Sequence, residues 1–481
     1  QKRMSNATQS LAGTRITSLL DANSFVEIGK SVTARSTDFN MTEKKAPSDG
    51  VITGYGVIDG NLVYVYSQDV SVLNGTVGEM HAKKISSLYD LAMKTGAPVI
   101  GLIDCAGMRL QEATDALEAF GTIYLKQTLA SGMIPQITAV FGTCGGGMAV
   151  VPALTDFTFI ESKKGKMFVN TPNALEGNHV EKCDTSAAAF QSEETGLIDR
   201  AGSEGEILGW IRQLISFLPS NFEDNDSFDE CTDDLNRVCG DISACAGDTV
   251  LALSRIADNG LFFETKTAYG KDIATGFLRL NGATVGAVAN RKEIYGEDGT
   301  KTEEFDGTLS ARGARKAADF VKFCDAFDIP VLTLTNVTGF KATLCNEKMM
   351  AKSVGEMIHA FADATVPKVN VVIGKAYGTA YVAMNSKSIG ADYVYAWDNA
   401  EIGMMDASLA AKIMYPGEDA AVLSEKAAEY RALQSGVESA AARGYVDTVI
   451  APEDTRKYVI GAFEMLFTKR EDRPAKKHSA V

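Results

Sequence analysis

Two glycine-rich turns carry the groups best suited to chemistry in this chain. The first is Gly142-Thr143-Cys144-Gly145-Gly146-Gly147, the second is Gly374-Lys375-Ala376-Tyr377-Gly378-Thr379-Ala380, and each ends an apolar, strand-like run. Backbone N–H groups at a strand end and at the start of the next helix can converge on one point, as in an oxyanion hole. Glycine suits such a place because a substrate oxygen must come close to the backbone.

A second glycine turn in each half of the chain could supply donors to the same point. The candidate donors are Gly107, Met108, Gly145 and Gly146 in the first half, and Gly339, Phe340, Gly378, Thr379 and Ala380 in the second. A glycine-rich turn after a strand is more often a tight structural turn or an unspecific phosphate cradle. Because the turns recur in equivalent places, we expect two bound carbonyl-type groups.

Several other chemistries lack the residues they need. The chain has only 4 histidines and no G-x-S-x-G, H-E-x-x-H or Walker A sequence, which argues against Ser/His, zinc-protease and P-loop mechanisms. A hydratase needs paired carboxylates beside its oxyanion hole. Glu112 and Asp115 lie near Gly107, but their spacing places them on a helix and favours a structural role.

The elements that position these turns occur twice. Pro98 and Gly107 recur 232 positions later as Pro330 and Gly339, and the next proline, at 135, recurs at 367 with the same spacing. In each half a hairpin signal precedes a helix and then a buried strand. Such an order predicts parallel strands joined by crossover helices. The fold class is therefore α/β, with two copies of one domain rather than a solenoid.

Composition limits the partners and the compartment. A net charge of −15 argues against a nucleic-acid or anionic-membrane partner, since either calls for a basic face. The 8 cysteines form no C-x-x-C pair and no secretory leader precedes them, so we expect reduced thiols in a cytoplasmic protein. The acidic stretch from Pro219 to Asp248 reads as a linker, and we place the domain boundary there, giving domains 1–225 and 226–481.

Over nearly its whole length the chain resembles the biotin-dependent acyl-CoA carboxyltransferases. These are the carboxyltransferase subunits of propionyl-CoA, acetyl-CoA and methylcrotonyl-CoA carboxylases and of the sodium-pumping methylmalonyl-CoA and glutaconyl-CoA decarboxylases. The blocks that carry the resemblance are Arg15-Ile16-Thr17-Ser18-Leu19-Leu20-Asp21, Ser24-Phe25-Val26-Glu27, Ser67-Gln68-Asp69, Gly78-Glu79, Gly107-Met108-Arg109-Leu110-Gln111-Glu112, Ser131-Gly132-Met133-Ile134-Pro135-Gln136-Ile137, Pro152-Ala153-Leu154-Thr155-Asp156-Phe157, Lys322-Phe323-Cys324-Asp325-Ala326-Phe327, Ala364-Thr365-Val366-Pro367-Lys368-Val369, Lys375-Ala376-Tyr377-Gly378 and Lys476-Lys477-His478.

The resemblance implies two tandem crotonase-like domains in a homohexamer, a trimer of dimers. The first domain would bind the acyl-CoA, with its thioester oxygen at the amides of Gly107-Met108 and Gly145-Gly146. The second would bind carboxybiotin, with the ureido carbonyl at Gly339-Phe340 and Gly378-Thr379-Ala380. Each active site would lie between the first domain of one subunit and the second domain of another.

In the implied mechanism, carboxybiotin releases carbon dioxide, its freed N1 takes the α-proton of the acyl-CoA, and the enolate attacks the carbon dioxide. Biotin would arrive on a separate biotin carboxyl carrier protein, charged by a biotin carboxylase subunit or serving a membrane decarboxylase subunit that could bring the protein to the membrane. No metal is expected in this subunit. We expect Arg109, Gly147, Tyr377 and Val382 to contact the cofactors, with a place in the core as the alternative for Val382.

The chain departs from the family pattern beside both pockets. Phe168 to Asn173 replaces the usual Phe-Ile-Thr-Gly-Pro, Met350 to Gly355 replaces a Gly-Gly-Ile-Ile-Arg-His stretch, and Thr379 stands where glycine is usual. These changes bear on substrate identity more than on reaction type. Net carboxylation, net decarboxylation, and a hydratase or non-catalytic scaffold remain the three open hypotheses.

Overall fold

The structure is a computed structural model that describes residues 10–35, 38–178, 182–224, 227–474 and 478. The chain forms two compact units, Gln1–Ser227 and Phe228–Val481. The expected boundary between residues 225 and 226 lies outside the described residues, as do Lys476 and Lys477 of the terminal block. None of the described helices combines the length and apolar composition needed to cross a lipid bilayer.

The first unit is built around one mixed sheet. Its helices and strands are, in chain order, α1 (Leu11–Leu19), β1 (Val26–Ile28), β2 (Val51–Ile58), β3 (Asn61–Gln68), α2 (Glu79–Thr95), β4 (Val99–Cys105), α3 (Ala113–Ala130), β5 (Gln136–Gly145), β6 (Phe157–Glu161), β7 (Lys166–Phe168), α4 (Ala188–Glu194), β8 (Arg200–Gly202) and α5 (Glu204–Phe217). The strand order is β1-β2-β3-β4-β5-β6-β8, and β7 pairs with β5. From β3 to β8 all pairings are parallel.

The second unit has the same sheet topology. Its elements are α6 (Ile242–Cys245), α7 (Thr249–Ile256), β9 (Phe262–Thr265), β10 (Ile273–Leu280), β11 (Ala283–Asn290), β12 (Glu293–Tyr295), β13 (Lys301–Glu304), α8 (Ala311–Ala326), β14 (Val331–Val337), α9 (Leu344–Asp363), β15 (Lys368–Tyr377), α10 (Gly378–Ala383), β16 (Tyr393–Trp397), β17 (Glu401–Gly403), α11 (Ala407–Met414), α12 (Ala420–Tyr430), α13 (Val437–Ala442), β18 (Thr448–Ile450) and α14 (Thr455–Met465). The strand order β9-β10-β11-β14-β15-β16-β18, with β17 beside β15, repeats that of the first unit. The predicted duplication is therefore confirmed.

Both units open their sheets with a tight antiparallel hairpin. Asp59-Gly60 joins β2 to β3, and Asn281-Gly282 joins β10 to β11. All four residues have positive φ, between +48° and +82°. Asp-Gly and Asn-Gly tolerate this backbone best, and the resulting turn matches the right-handed twist of the strands. The hairpins expected from the sequence are confirmed.

Each sheet buries an apolar core of its own. In the first unit, Ile85 and Leu88 of α2 pack with Val99 of β4 in one buried cluster. In the second, Leu332 of β14 and Trp397 of β16 belong to a separate cluster. Because each cluster closes within one copy of the repeat, each unit has the core that an independent domain requires.

A buried lysine anchors the first strand of each hairpin. Lys316 of α8 is 1% exposed, and its Nζ donates to the carbonyls of Lys266, Tyr269 and Ile273 at 2.9, 2.9 and 2.7 Å. Lys84 of α2, which precedes it by 232 positions, donates to the carbonyls of Ser48 and Val51. Burial lowers the pKa of both lysines to about 8. Each ammonium thus links a helix to the loop that precedes the hairpin and to the first residue of the hairpin's first strand.

Replacing Lys316 with methionine should destabilise the protein by about 3 kcal/mol, because an apolar group leaves three buried carbonyls without their donor. Equilibrium denaturation of the full chain measures this change. Lys322→Met, at an exposed position of the same helix, is the matched control and should stay near the wild type. Equal stability of the two variants would show that the ammonium contributes nothing.

Candidate active site

Glycines with left-handed backbone follow the ends of the two central strands in each sheet. Gly107, after β4, has φ +121°, and Gly339, after β14, has φ +153°. Gly146, after β5, has φ +60°, and Gly378, after β15, has φ +64°. Since L side chains rarely adopt such backbone, the glycines are needed for the turns themselves. The structure therefore brings the two predicted turns of each half together at one edge of each sheet.

The turns leave open space beside the backbone. A Cβ added to Gly146 or to Gly339 would have no other atom within 4 Å. A Cβ on Gly107 would lie 3.2 Å from the carbonyl oxygen of Gly145, so the first-unit turns are close neighbours. We call the space bounded by these turns the amide cradle of each unit. Such a cradle is of a size that a side chain would fill and that a substrate oxygen can enter.

One amide in each cradle has no partner among the residues that the structure describes. No described acceptor takes a hydrogen bond from the N–H of Met108 in the first unit or of Phe340 in the second. The Gly107 N–H differs, since it donates to the Cys105 Sγ at 3.3 Å. Among the described residues, the first cradle thus offers the Met108 amide as a donor, while Gly146 contributes open space and Gly107 contributes its conformation.

In each unit, two backbone hydrogen bonds of a parallel bridge fix the orientation of the turn that contains Gly107 or Gly339. Val77 N donates to Gly107 O and Arg109 N donates to Val77 O, both at 2.9 Å. In the second unit, Leu309 N donates to Gly339 O and Lys341 N donates to Leu309 O, again at 2.9 Å. The residue between the two bonds is Met108 in one copy and Phe340 in the other, and its own amide has no acceptor in the described part of the chain.

One polar side chain in each sheet spans a break in strand register. The β4–β5 register shifts between Ile103 and Cys105, and the Asp104 carboxylate between them accepts from Thr143 N at 3.2 Å. Its counterpart Asn336 bridges the β14–β15 shift and accepts from Lys375 N at 3.1 Å. These bonds hold the last residues of β5 and β15 in the conformation that leads into Gly146 and Gly378.

Glycines opposite Asp104 and Asn336 leave the room that these side chains need to reach the neighbouring strand. A Cβ on Gly142 would lie 2.3 Å from Asp104 Oδ1, and one on Gly374 would lie 2.6 Å from Asn336 Oδ1. Neither distance is sterically allowed. The first glycine of each glycine-rich turn therefore admits the supporting side chain, whereas Gly146 and Gly378 belong to the cradle.

A buried polar network supports the first cradle from beneath. Asp104 N donates to Gln68 Oε1 at 3.2 Å, and Gln68 Nε2 lies 3.2 Å from His81 Nε2. His81 Nδ1 lies 2.9 Å from the Asp49 carbonyl oxygen. Both contacts are satisfied by a neutral imidazole that donates through Nδ1 and accepts at Nε2. Burial, together with the Arg109 charge, lowers the pKa of His81 to about 3.

Arg109 belongs to this network rather than to the open side of the cradle. Its side chain is 1% exposed, pairs with Asp49 and Glu112, and donates to Thr76 O at 2.8 Å. The guanidinium is thus fully committed to partners within the unit. The contact with coenzyme A that the resemblance implied stays a prediction, one that this geometry does not favour, and a positioning role fits the side chain better.

The remaining expected residues occupy different environments. The Gly147 carbonyl accepts from the Tyr124 hydroxyl at 2.5 Å, which fixes the turn after Gly146. The Tyr377 ring is buried and its hydroxyl donates to Glu401, while Val382 is half-buried in α10. Thr379 is exposed and Ala380 is buried. Gly147 and Tyr377 directly adjoin Gly146 and Gly378 in the chain, and the contacts of Gly147, Tyr377 and Val382 with cofactors stay predictions.

The carboxylates that a hydratase would need do not face the first cradle. Glu112 pairs with Arg109 and accepts from Glu79 N at 2.6 Å, whereas Asp115 is exposed and lies 3.6 Å from Arg35. The described residues also contain no group of three or more metal-ligating side chains suited to an ion. Whether the subunit works without a metal stays a prediction.

The comparison with known proteins identifies the family. The family model described as the carboxyl transferase domain matches residues 5–481. The chain is a member of this family. Its relatives include the propionyl-CoA carboxylase beta chain of Roseobacter denitrificans, which is 39% identical over 97% of this chain and 92% of the relative. The methylmalonyl-CoA decarboxylase subunit alpha of Propionigenium modestum is also 39% identical, with the same coverage of both chains.

A solved structure supports the same assignment. Transcarboxylase 12S, described as a hexamer assembly with methylmalonyl-coenzyme A and methylmalonic acid bound, matches with a TM-score of 0.90 and 36% identity. The match covers 98% of this chain and 93% of the 12S chain. The tandem crotonase-like fold expected from the sequence is confirmed, and the protein is a biotin-dependent acyl-CoA carboxyltransferase.

Sequence reasoning missed the residues that support the carboxyltransferase cradles from behind. Asp104 and Asn336 are separated by 232 positions, as are Lys84 and Lys316, so the repeat offset could have revealed all four. Gln68 and His81 carry no comparable signal, because their partners lie on other elements. Only the folded register brings this network together.

Asp104→Ala should lower kcat of the carboxyltransferase by about 100-fold, since a displacement of about 1 Å in a catalytic turn has effects of that size. Asp104→Asn should retain most of the activity, because Asn336 makes the equivalent bond through an amide oxygen. Steady-state kinetics and the melting temperature of both variants measure the effect. If asparagine failed as badly as alanine with the fold intact, the backbone contact would not be the role of Asp104.

The neutral His81 should make the protein acid-sensitive. Its folded pKa lies below the unfolded value of about 6.5, so its contribution is complete above that pH and is lost as the pH falls toward 3. Between pH 6 and 4 the stability of the wild type relative to His81→Gln should fall by roughly 1 kcal/mol per pH unit. Urea denaturation at several pH values measures the difference, and parallel pH profiles would contradict it.

Proposed function

We propose that the first unit binds a short-chain acyl-CoA and that the second unit binds the biotin group of a carrier protein. The observation that carries the proposal is the duplication of one open amide cradle within a carboxyltransferase chain. One reaction with two carbonyl-bearing substrates, a thioester and a cyclic urea, accounts for two such cradles. Paired hydrogen-bond donors at a fixed point are the main stabilisation that an enolate oxygen needs.

The chain's own contribution to the first half-site is preorganisation. The Met108 and Gly146 amides would donate to the thioester oxygen and stabilise the charge that develops there when the α-proton leaves. Asp104 and the Val77 bridge support these amides, so little reorganisation is required during the reaction. An open side at Gly146 fits a thioester oxygen, because no side chain occupies that space.

In the second half-site the Phe340 and Gly378 amides would donate to the ureido oxygen. Open space beside Gly339 fits this group in the same way. Carboxybiotin, when bound, would supply the transferable carboxyl group, and its ring nitrogen the base. Thr379 and Ala380 begin the helix behind this cradle, and their amides are further candidates for the same oxygen.

The acyl substrate that we propose is the propionyl-CoA and methylmalonyl-CoA pair. Two kinds of relative support it, since one is named for carboxylating propionyl-CoA and the other for decarboxylating methylmalonyl-CoA. Net carboxylation with a biotin carboxylase and a biotin carrier protein is the direction that we favour. A membrane decarboxylase partner would use the same partial reaction in reverse. A cytoplasmic homohexamer remains our proposal for the assembly.

A transfer assay with carboxybiotin and acetyl-, propionyl-, butyryl- or glutaconyl-CoA tests the assignment. Propionyl-CoA should give the highest kcat/KM. ATP-dependent turnover after addition of a biotin carboxylase and carrier protein would establish the carboxylating direction. Absence of transfer with all four thioesters would contradict the proposal and favour a scaffold.

Valine at the two cradles should separate the half-sites. Gly146→Val should lower transfer at least 100-fold and weaken acyl-CoA binding, whereas Gly339→Val should weaken biotin binding, because each side chain fills one cradle. Calorimetric titration with acyl-CoA and with biotin measures the two binding affinities separately. Gly299→Val, at an exposed turn with φ +76° and open space, is the control for backbone strain. Full activity of Gly146→Val would show that the first cradle is misplaced.

A further inference from the structure

The second cradle has a lysine at its edge whose side chain forms no hydrogen bond or ion pair with the described residues. Lys292 follows the end of β11, and its Cε and Nζ lie 2.8 and 3.3 Å from the point where a Cβ on Gly307 would be. Thr338 Oγ1 lies 3.6 Å from the same point. Since Thr338 directly precedes Gly339, the Lys292 ammonium lies beside the turn that forms the cradle.

A second lysine approaches the same edge from the neighbouring strand. Lys375 lies in β15, its backbone N–H bonds to Asn336 at 3.1 Å, and its Nζ is 5.9 Å from the centre of the Tyr377 ring. The strands β11, β14 and β15 are adjacent and end at this edge. Ligands of parallel sheets bind at such carboxyl ends.

Neither ammonium group has a carboxylate partner among the residues that the structure describes. Lys341 at the same edge differs, since its Nζ lies 3.6 Å from Asp306. Burial lowers the pKa of Lys292, the nearby charge of Lys375 lowers it further, and Glu293 opposes the shift. A part-buried cation next to a like charge is stabilised when an anion binds between them.

The first unit provides an internal comparison. Gln68 and Asn290 are equivalent, because each accepts a hydrogen bond from the backbone N–H of the residue whose side chain spans the register shift. Val70 follows Gln68 by two positions, as Lys292 follows Asn290. Thr143 is the second residue of the first glycine-rich turn, as Lys375 is of the second. Val70 and Thr143 are both uncharged, although the turns and the hydrogen bonds that support them are equivalent in the two units. The fold therefore does not require cations here. The difference between the cradles points to a difference in the charge of their ligands.

We propose that Lys292 and Lys375 form a carboxylate-binding subsite at the second cradle. Its ligand is a small carboxylate anion, carried either by the transferable carboxyl group on biotin or by free bicarbonate. The neutral edge of the first cradle suits a thioester, which has no charge at its carbonyl. The role of the subsite in transfer rests on the proposed function, but the binding of a carboxylate does not.

Direct binding of [13C]bicarbonate to the full chain tests the subsite without any turnover. The dissociation constant follows from the relaxation of the carbon signal. In Lys292→Met and Lys375→Met it should rise about tenfold, the effect of losing one charge-assisted hydrogen bond. Lys341→Met removes the same charge from the same edge but a lysine that is already paired, and should bind bicarbonate as the wild type does.

Kinetics distinguish the two sources of the carboxylate. If the transferable carboxyl group occupies the subsite, the KM for carboxybiotin should rise about tenfold in Lys292→Met, the KM for acyl-CoA should stay within twofold, and Lys292→Arg should recover part of the loss. If bicarbonate occupies it, bicarbonate should also compete with carboxybiotin in the wild type and not in Lys292→Met. Both results support the subsite.

Two outcomes would overturn the inference. One is that neither the bicarbonate affinity nor the carboxybiotin KM of the Lys292 and Lys375 variants differs from that of Lys341→Met. The other is a rise in the acyl-CoA KM alone, which would assign the lysines to coenzyme A phosphates. If the wild type transferred no carboxyl group, the proposed function would be contradicted. The bicarbonate titration would still show whether the two lysines bind a carboxylate.

Discussion

Each amide cradle depends on one hydrogen bond across a break in a parallel sheet. In a regular parallel pair, evenly spaced backbone hydrogen bonds join the two strands along their length. Here the β4–β5 register passes from the Ile103–Val140 pair to the Cys105–Cys144 pair, and the Asp104 carboxylate accepts from Thr143 N inside the gap. This side-chain bond fixes the backbone that leads into Gly146.

The two units keep this constraint and change what surrounds it. A carboxylate spans the shift in the first unit, where Arg15 Nη1 lies 3.5 Å from Asp104, and an uncharged amide spans it in the second. Burial raises the pKa of Asp104 and Arg15 opposes that shift, so the first unit needs a counter-charge that the second does not. The two units therefore share one backbone arrangement but differ in the charge beside it, which is a carboxylate with an arginine in the first unit and an uncharged amide in the second.

Much of the fold could be predicted from the sequence because its signals are local. Asp59-Gly60 and Asn281-Gly282 specify hairpins, and a fixed spacing of prolines and glycines reveals the repeat. The cradle glycines were found in the same way. Residues whose roles depend on neighbouring strands were not, since the bond from Thr143 to Asp104 crosses 39 positions of sequence.

Arg109 illustrates the opposite difficulty. It stands in a family block next to Met108, and its position in the sequence suggested contact with a ligand. Its side chain turns inward because Asp49, which is fully buried, needs a cation. The sequence contains both residues, but 60 positions separate them, and no local pattern shows that they meet.

The Cys105 thiol beneath the first turn occupies one of the turn's backbone amides. Cys105 takes the Gly107 N–H for itself, whereas Val337, at the matching place in the other half, has no atom able to do so. Among the described residues, the Gly339 N–H has no such acceptor, so the two turns differ in how many amides they leave unpaired although their main chains are alike. A single buried side chain can thereby change the donor capacity of a turn without altering its backbone.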